Sequence, residues 1–157
     1  PYRPEDLPAC MALVHQSMEQ VNLGYGYTAE RLAHQLQFRD VPRTLVLERN
    51  GTVRGLVNSY TLQMNARGAL DVALIDLLAL DASVPREERK RFLRVAMRDM
   101  ASRGAHCAAM LRSPCVPAGL MLGAGWVPWP GGMRIVCTLT SPDVLWPASP
   151  RVFTHLR

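Results

Sequence analysis

VALIDLLALDASVPREERKRFLRVAM, residues 72–97, decides how this sequence folds. Its first part, 72–80, is apolar throughout except for Asp76. A run without polar alternation is buried on both faces, as a strand at the centre of a sheet is. A short turn follows, and then an amphipathic helix: Leu93, Ala96, Met97, Met100 and Ala101 recur at helical spacing. Ser83 is placed to cap this helix, Pro85 suits its first turn, and Gly104 supplies the stop. A helix N-terminus after a strand presents unpaired N–H groups, an anion site in many folds. Phosphate loops there are normally built with glycine, yet none occurs between Ser83 and Arg91.

Upstream, RTLVLERNGTVRGLVNSYTL carries two β-rich runs, 44–48 and 53–62, around Asn50-Gly51. That dipeptide suits the positive φ angles of a two-residue hairpin turn. Together with the strand at 70–80 it predicts an antiparallel meander. The N-terminal LPACMALVHQSMEQV spaces Leu7, Met11, Val14 and Met18 as an amphipathic helix, with Asp6 as N-cap and a short strand at Tyr2 and Arg3 leading in. NLGYGYT interrupts it, and Thr28 caps a second helix, AERLAHQLQ, with Leu32 and Leu36 on one side. Downstream, HCAAMLRS (106–113) reads as a strand, VPAGLMLGAG as a short helix and MRIVCTLT (133–140) as a last strand. Residues 141–157, rich in proline, read as an extended tail packing through Trp146 and Phe153.

The order β-α-α-β-β-β-α-β-α-β predicts an α/β (α+β) fold: a mixed, mostly antiparallel sheet with helices on both faces. At 157 residues the chain makes one domain, 1–140, with the tail attached. Hydrophobic residues at 48% and charged residues at 20% are those of an ordinary globular protein. No apolar run approaches the ~18 residues of a membrane span, and the N-terminus lacks a signal-peptide layout. A cytoplasmic location is expected. The chain starts at Pro1 and not at methionine, so a trimmed start or a piece of a longer chain is expected.

Cys10, Cys107, Cys115 and Cys137 show no CxxC spacing and read as reduced thiols. With His15, His34, His106 and His155 they form no metal-ligand pattern. The formal charge of +5 is owed almost wholly to arginine and favours anionic partners. No helix interleaves basic residues with exposed aromatics, which argues against nucleic acid.

The element order, the opening YRPEDLPAC, the Asn50-Gly51 hairpin, the strand-to-helix junction and AGLMLGAGW together resemble the GNAT superfamily of acyl-CoA-dependent N-acyltransferases over residues 2–140. Gly125-Trp126 stands where members usually have Gly-Phe. The resemblance implies a V-shaped opening between the fourth and fifth strands, 70–80 and 106–113, for the pantetheine arm of acetyl-CoA or another acyl-CoA. Backbone N–H groups of Leu78, Ala79 and Leu80 would hold that arm, and the pyrophosphate would lie on the helix after Pro85.

The cofactor motif is degenerate. Aligned through Phe92-Leu93, Glu87 and Arg89 occupy the two small-residue places, and Val84 stands where Arg or Gln is usual. Arg86, Arg89 and Lys90 at the helix entrance are the residues that would grip the phosphates in place of glycine. The plainer reading is a solvated first turn whose Glu87 and Glu88 suit the helix dipole.

Many members use a tyrosine on the short helix as acid for the leaving thiolate; Met121 stands there and cannot donate a proton. Many use a carboxylate on the fourth strand as base, for which Asp76 is the candidate. Burial in an apolar strand disfavours the charged form of a carboxylate, which suits a general base. The alternative for Asp76 is a structural partner of a nearby arginine. Cys107, Cys115 and His106 map near the opening and read as packing. The expected function is acyl transfer to the amine of a small molecule or peptide. The alternative is a GNAT-fold domain that has lost catalysis and acts as an interaction or ligand-sensing domain of a longer protein, with a further domain or a homodimer as its setting.

Overall fold

The computed structural model describes residues 1–19, 21, 24–65 and 68–128. The expected last strand at 133–140 and the tail at 141–157 lie outside the described residues. Within them the elements are α1 (Leu7–Met18), α2 (Ala29–Gln37), β1 (Arg43–Arg49), β2 (Thr52–Asn65), β3 (Ala69–Leu80), α3 (Arg86–Ser102), β4 (Cys107–Met110) and α4 (Ala118–Ala124), with 3-10 turns at Pro4–Asp6 and Phe38–Asp40. The strands form one sheet in the order β1-β2-β3-β4. β1, β2 and β3 are antiparallel neighbours, while β4 joins β3 in parallel. The fold is α+β, with a mixed and mostly antiparallel sheet.

Two apolar layers sandwich the sheet. On one face Leu13 and Val14 of α1 and Leu32 and Leu36 of α2 pack against Leu56, Leu77 and Ala79. On the other, Phe92, Leu93, Ala96 and Met100 of α3 and Leu120 and Ala124 of α4 pack against Val57, Ile75, Leu78 and Leu80. β3 is apolar on both faces because it contributes to both layers, so its sequence shows no alternation.

The turn chemistry accounts for the connections. Asn50 (φ 52°) and Gly51 (φ 71°) both take positive φ in the β1–β2 hairpin, as a two-residue turn that follows strand twist demands. Thr28 Oγ1 accepts from the Arg31 N–H at 3.2 Å and caps α2. Gly104 (φ 92°) ends α3 and Gly125 (φ 100°) ends α4.

Four local expectations are corrected. Tyr2 donates its N–H to Thr44 O at 3.1 Å, but residues 2–3 form no strand. Asp6 stands at the N-cap of α1 without capping it, since its Oδ2 accepts from Arg3 N at 2.8 Å instead. Pro85, not Ser83, is the N-cap of α3, and no side chain caps that helix. β4 is also shorter than 106–113, because a turn closed by Val116 N to Ser113 O draws the chain out of the sheet.

The helix faces are rotated slightly from expectation. In α1 the buried residues are Cys10, Leu13, Val14 and Ser17, with Leu7, Met11 and Met18 at the flanks. In α3, Phe92 is buried and Ala101 is exposed.

Candidate functional site

β3 and β4 pair only from Val72–Cys107 to Ile75–Met110. β3 then runs on to Leu80, held on its other side by Gly55–Asn58 of β2. After Met110 the chain departs, so that the Cys115 thiol donates to Ser17 O at the end of α1, 3.1 Å away. Val116 and Leu120 then enter the opposite core. Among the described residues no strand pairs with 76–80 on the β4 side. The edge of Leu78, Ala79 and Leu80 on that side thus has no strand partner among the described residues. All three side chains are buried.

Asp76 is the first residue past this divergence, and it is also the extra residue of a β-bulge. Asn58 pairs with Leu77 and Ser59 with Ile75, which leaves Asp76 without a β2 counterpart. A bulge turns a side chain to a face that strict alternation would deny it. Asp76 accordingly faces α2, where its Oδ2 accepts from Gln35 Nε2 at 2.6 Å. Both residues are buried, at 7% and 6% exposure. Asn58 Nδ2 donates to Thr44 Oγ1 at 2.8 Å and to Gln35 O at 3.3 Å, and Thr44 Oγ1 donates to Leu36 O at 2.7 Å. Two of the last carbonyls of α2, Gln35 O and Leu36 O, which a helix leaves unpaired, are thus taken up by side chains of β2 and β1.

The β3–α3 turn is organised by Asp81 and not by glycine. Asp81 Oδ1 accepts from Ser83 N and its Oδ2 from Arg54 Nη1, each at 2.8 Å. The Ser83 backbone N–H is the largest influence on this carboxyl; with the Ser83 hydroxyl and the Arg54 guanidinium it holds the carboxyl below its ordinary range, against the opposing push of burial. A hollow of about 130 Å³ lies on the hairpin side of this turn, lined by Arg49, Asn50, Thr52, Arg54, Ser83 and Val84.

The three cations expected at the helix entrance have different surroundings. Arg86 Nη2 donates to Gly119 O of α4 at 3.0 Å. Lys90 Nζ pairs with Glu87 Oε1 at 2.7 Å, and its chain lies over Gly123, where an added Cβ would meet Cε at 2.7 Å. Arg94, one turn on, donates to Gly123 O at 2.8 Å. The i, i+4, i+8 spacing of these three residues turns them toward α4. Arg89 keeps a buried Nε with no acceptor among the described residues.

Met121 is partly buried against the α3 layer. His106 Nδ1 accepts from Asp71 N at 3.1 Å. Cys10, Cys107 and Cys115 are free thiols; Cys107 is exposed, and burial pushes the Cys10 thiol up to about 12. Among the described residues no helix is long and apolar enough to cross a membrane.

No family model matches the sequence, and no curated protein matches it. Solved structures do match. The ribosomal-protein-alanine N-acetyltransferase of Brucella melitensis biovar Abortus 2308 superposes with a TM-score of 0.66 at 16% identity, over 87% of this chain and 96% of its own. Glucosamine-6-phosphate N-acetyltransferase of Arabidopsis thaliana gives 0.66 at 13% identity, over 86% and 94%. A protein of Clostridium acetobutylicum, named as a predicted acetyltransferase and solved with acetyl-CoA, gives 0.66 at 8%, over 86% and 92%. The fold is GNAT-like. At such identities the GNAT likeness is one of fold, and the chemistry has to be argued from the residues.

The residue that sequence reasoning missed is Gln35. A signal for it existed: with Leu32 and Leu36 it falls on the i, i+3, i+4 stripe of α2, a polar side chain in a core position. The bulge that turns Asp76 toward it has no counterpart in the local sequence.

Proposed function

We propose that this chain transfers an acyl group from acetyl-CoA or another acyl-CoA to the primary amine of a small molecule or peptide. One observation carries the reading: β3 outruns β4 at Ile75–Met110, and the next residue is a bulged, buried carboxylate. The pantetheine arm would lie along the edge of Leu78, Ala79 and Leu80, its amides pairing with the strand. An N–H of that edge would polarise the thioester carbonyl. The amine nitrogen attacks the carbonyl carbon, the carbon–sulfur bond breaks, and coenzyme A leaves as thiolate. Asp76 takes the proton lost by nitrogen, directly or through a water. The thiolate is protonated by solvent, because Met121 has no proton to give.

The pyrophosphate would meet the uncapped first turn of α3. Arg89, with its unused Nε, is the cation best placed by its surroundings to join it; Arg86 and Lys90 would first have to leave Gly119 O and Glu87. A reducing, acyl-CoA-containing compartment, the cytoplasm, fits the free thiols.

Those same commitments favour a second reading, in which the domain binds a ligand or a partner chain without turnover. Calorimetric titration with acetyl-CoA, followed by thiol release with glucosamine 6-phosphate and with an alanine-headed peptide, tests both readings. Saturable binding with amine-dependent thiol release is expected. Binding without release leaves the second reading, and no binding overturns the first.

A further inference from the structure

We infer that Gln35 is a positioning residue for Asp76: its side-chain amide fixes the rotation of the carboxylate that takes the proton from the amine. The inference rests on the acyl-transfer reading above and adds to it a residue on the opposite side of the sheet sandwich from the cofactor helix. The Gln35 Nε2–Asp76 Oδ2 contact is 2.6 Å long and buried at both ends. A hydrogen bond to a carboxylate is among the stronger ones, and its direction sets how the carboxylate plane turns.

Gln35 is held through its main chain: its backbone carbonyl accepts from Asn58 Nδ2, the Leu36 backbone carbonyl accepts from Thr44, and Asn58 bonds Thr44. β1 and β2 thus fix the turn of α2 from which the Gln35 side chain reaches Asp76, which limits reorganisation when the base is used.

The test is a double-variant cycle on thiol release from acetyl-CoA, with glucosamine 6-phosphate or an alanine-headed peptide as the amine. Gln35→Met keeps the length of the side chain and removes the donor. It should lower kcat about tenfold, the weight of one hydrogen bond to a charged group, with KM for acetyl-CoA unchanged. In the Asp76→Asn background the same substitution should do nothing further, because there is no base left to orient. Gln35→Asn, which keeps the amide but falls short of Asp76, should behave like Gln35→Met and serves if that variant melts early. An equal loss in both backgrounds, or a loss seen in KM for acetyl-CoA instead of kcat, marks Gln35 as structural and overturns the inference while acyl transfer stands. A parent protein inactive with both amines overturns the acyl-transfer reading and this inference with it.

Discussion

Asp76 and Leu77 are consecutive residues of β3 that face the same side of the sheet: Leu77 packs with Leu32 and Leu36, and Asp76 bonds Gln35 of the same helix. The extra residue opposite Asn58 makes this arrangement possible. Counting back by twos from Leu78 would put Asp76 under α3, away from α2. The bulge therefore decides which layer holds the only carboxylate of 72–80. It does so at the residue where β3 and β4 part.

The packing beside this strand predicts opposite outcomes for two glycines. A Cβ on Gly55 would stand 3.0 Å from Leu47 Cβ and 3.1 Å from Leu80 Cδ2, with Phe92 behind. None of these can yield freely, so Gly55→Ala should destabilise by about 1–3 kcal/mol. On Gly123 the near atom is the tail of Lys90, which can swing into solvent. Alanine is also the better helix former by roughly 0.8–1 kcal/mol. Urea melts should show a clear loss for Gly55→Ala and none for Gly123→Ala.

Asp81 predicts an acid-dependent share of stability. Its folded carboxyl lies below the ordinary range, held there first by the Ser83 N–H. A carboxyl lowered by folding contributes stability that is complete above its unfolded value, about 3.9. That contribution fades as pH falls through the lowered folded value. Asp81→Asn should therefore cost about 1–3 kcal/mol near neutrality. The gap to the parent protein should hold above about pH 4 and narrow as the pH falls below it. A gap independent of pH would contradict the assignment.

Much of this was legible in the sequence where local chemistry decides. Asn50-Gly51 needs only its own φ preference, Thr28 only the N–H groups three residues on, and β3 only its unbroken apolar run. The site was less legible because tertiary partners set it. Ser83 is a good cap by composition, but Asp81 claims its N–H and the helix starts two residues later. Arg86 and Lys90 look free in the sequence, and α4, thirty residues away, engages both. Asp76 was identifiable as the lone carboxylate of 72–80, whereas its face and its Gln35 partner depend on a register shift set by β2.

The two arginines at the head of α3 should separate by readout. Arg89→Ala should weaken acetyl-CoA binding about tenfold, by loss of one charged hydrogen bond, with little change in melting temperature. Arg86→Ala removes the contact to Gly119 O and should lower the melting temperature more than it changes affinity. Calorimetry and thermal melts on the two variants check this. Affinity lost through Arg86 and retained without Arg89 would reverse the assignment.

The central claim is that Asp76 takes the proton from the acceptor amine, and Asp76→Asn tests it most directly. The substitution keeps the volume and one acceptor oxygen but removes the proton sink. Transfer from acetyl-CoA should fall by a factor on the order of 10²–10⁴, while the variant still binds acetyl-CoA and still unfolds cooperatively. Undiminished transfer by a folded Asp76→Asn protein would contradict the account.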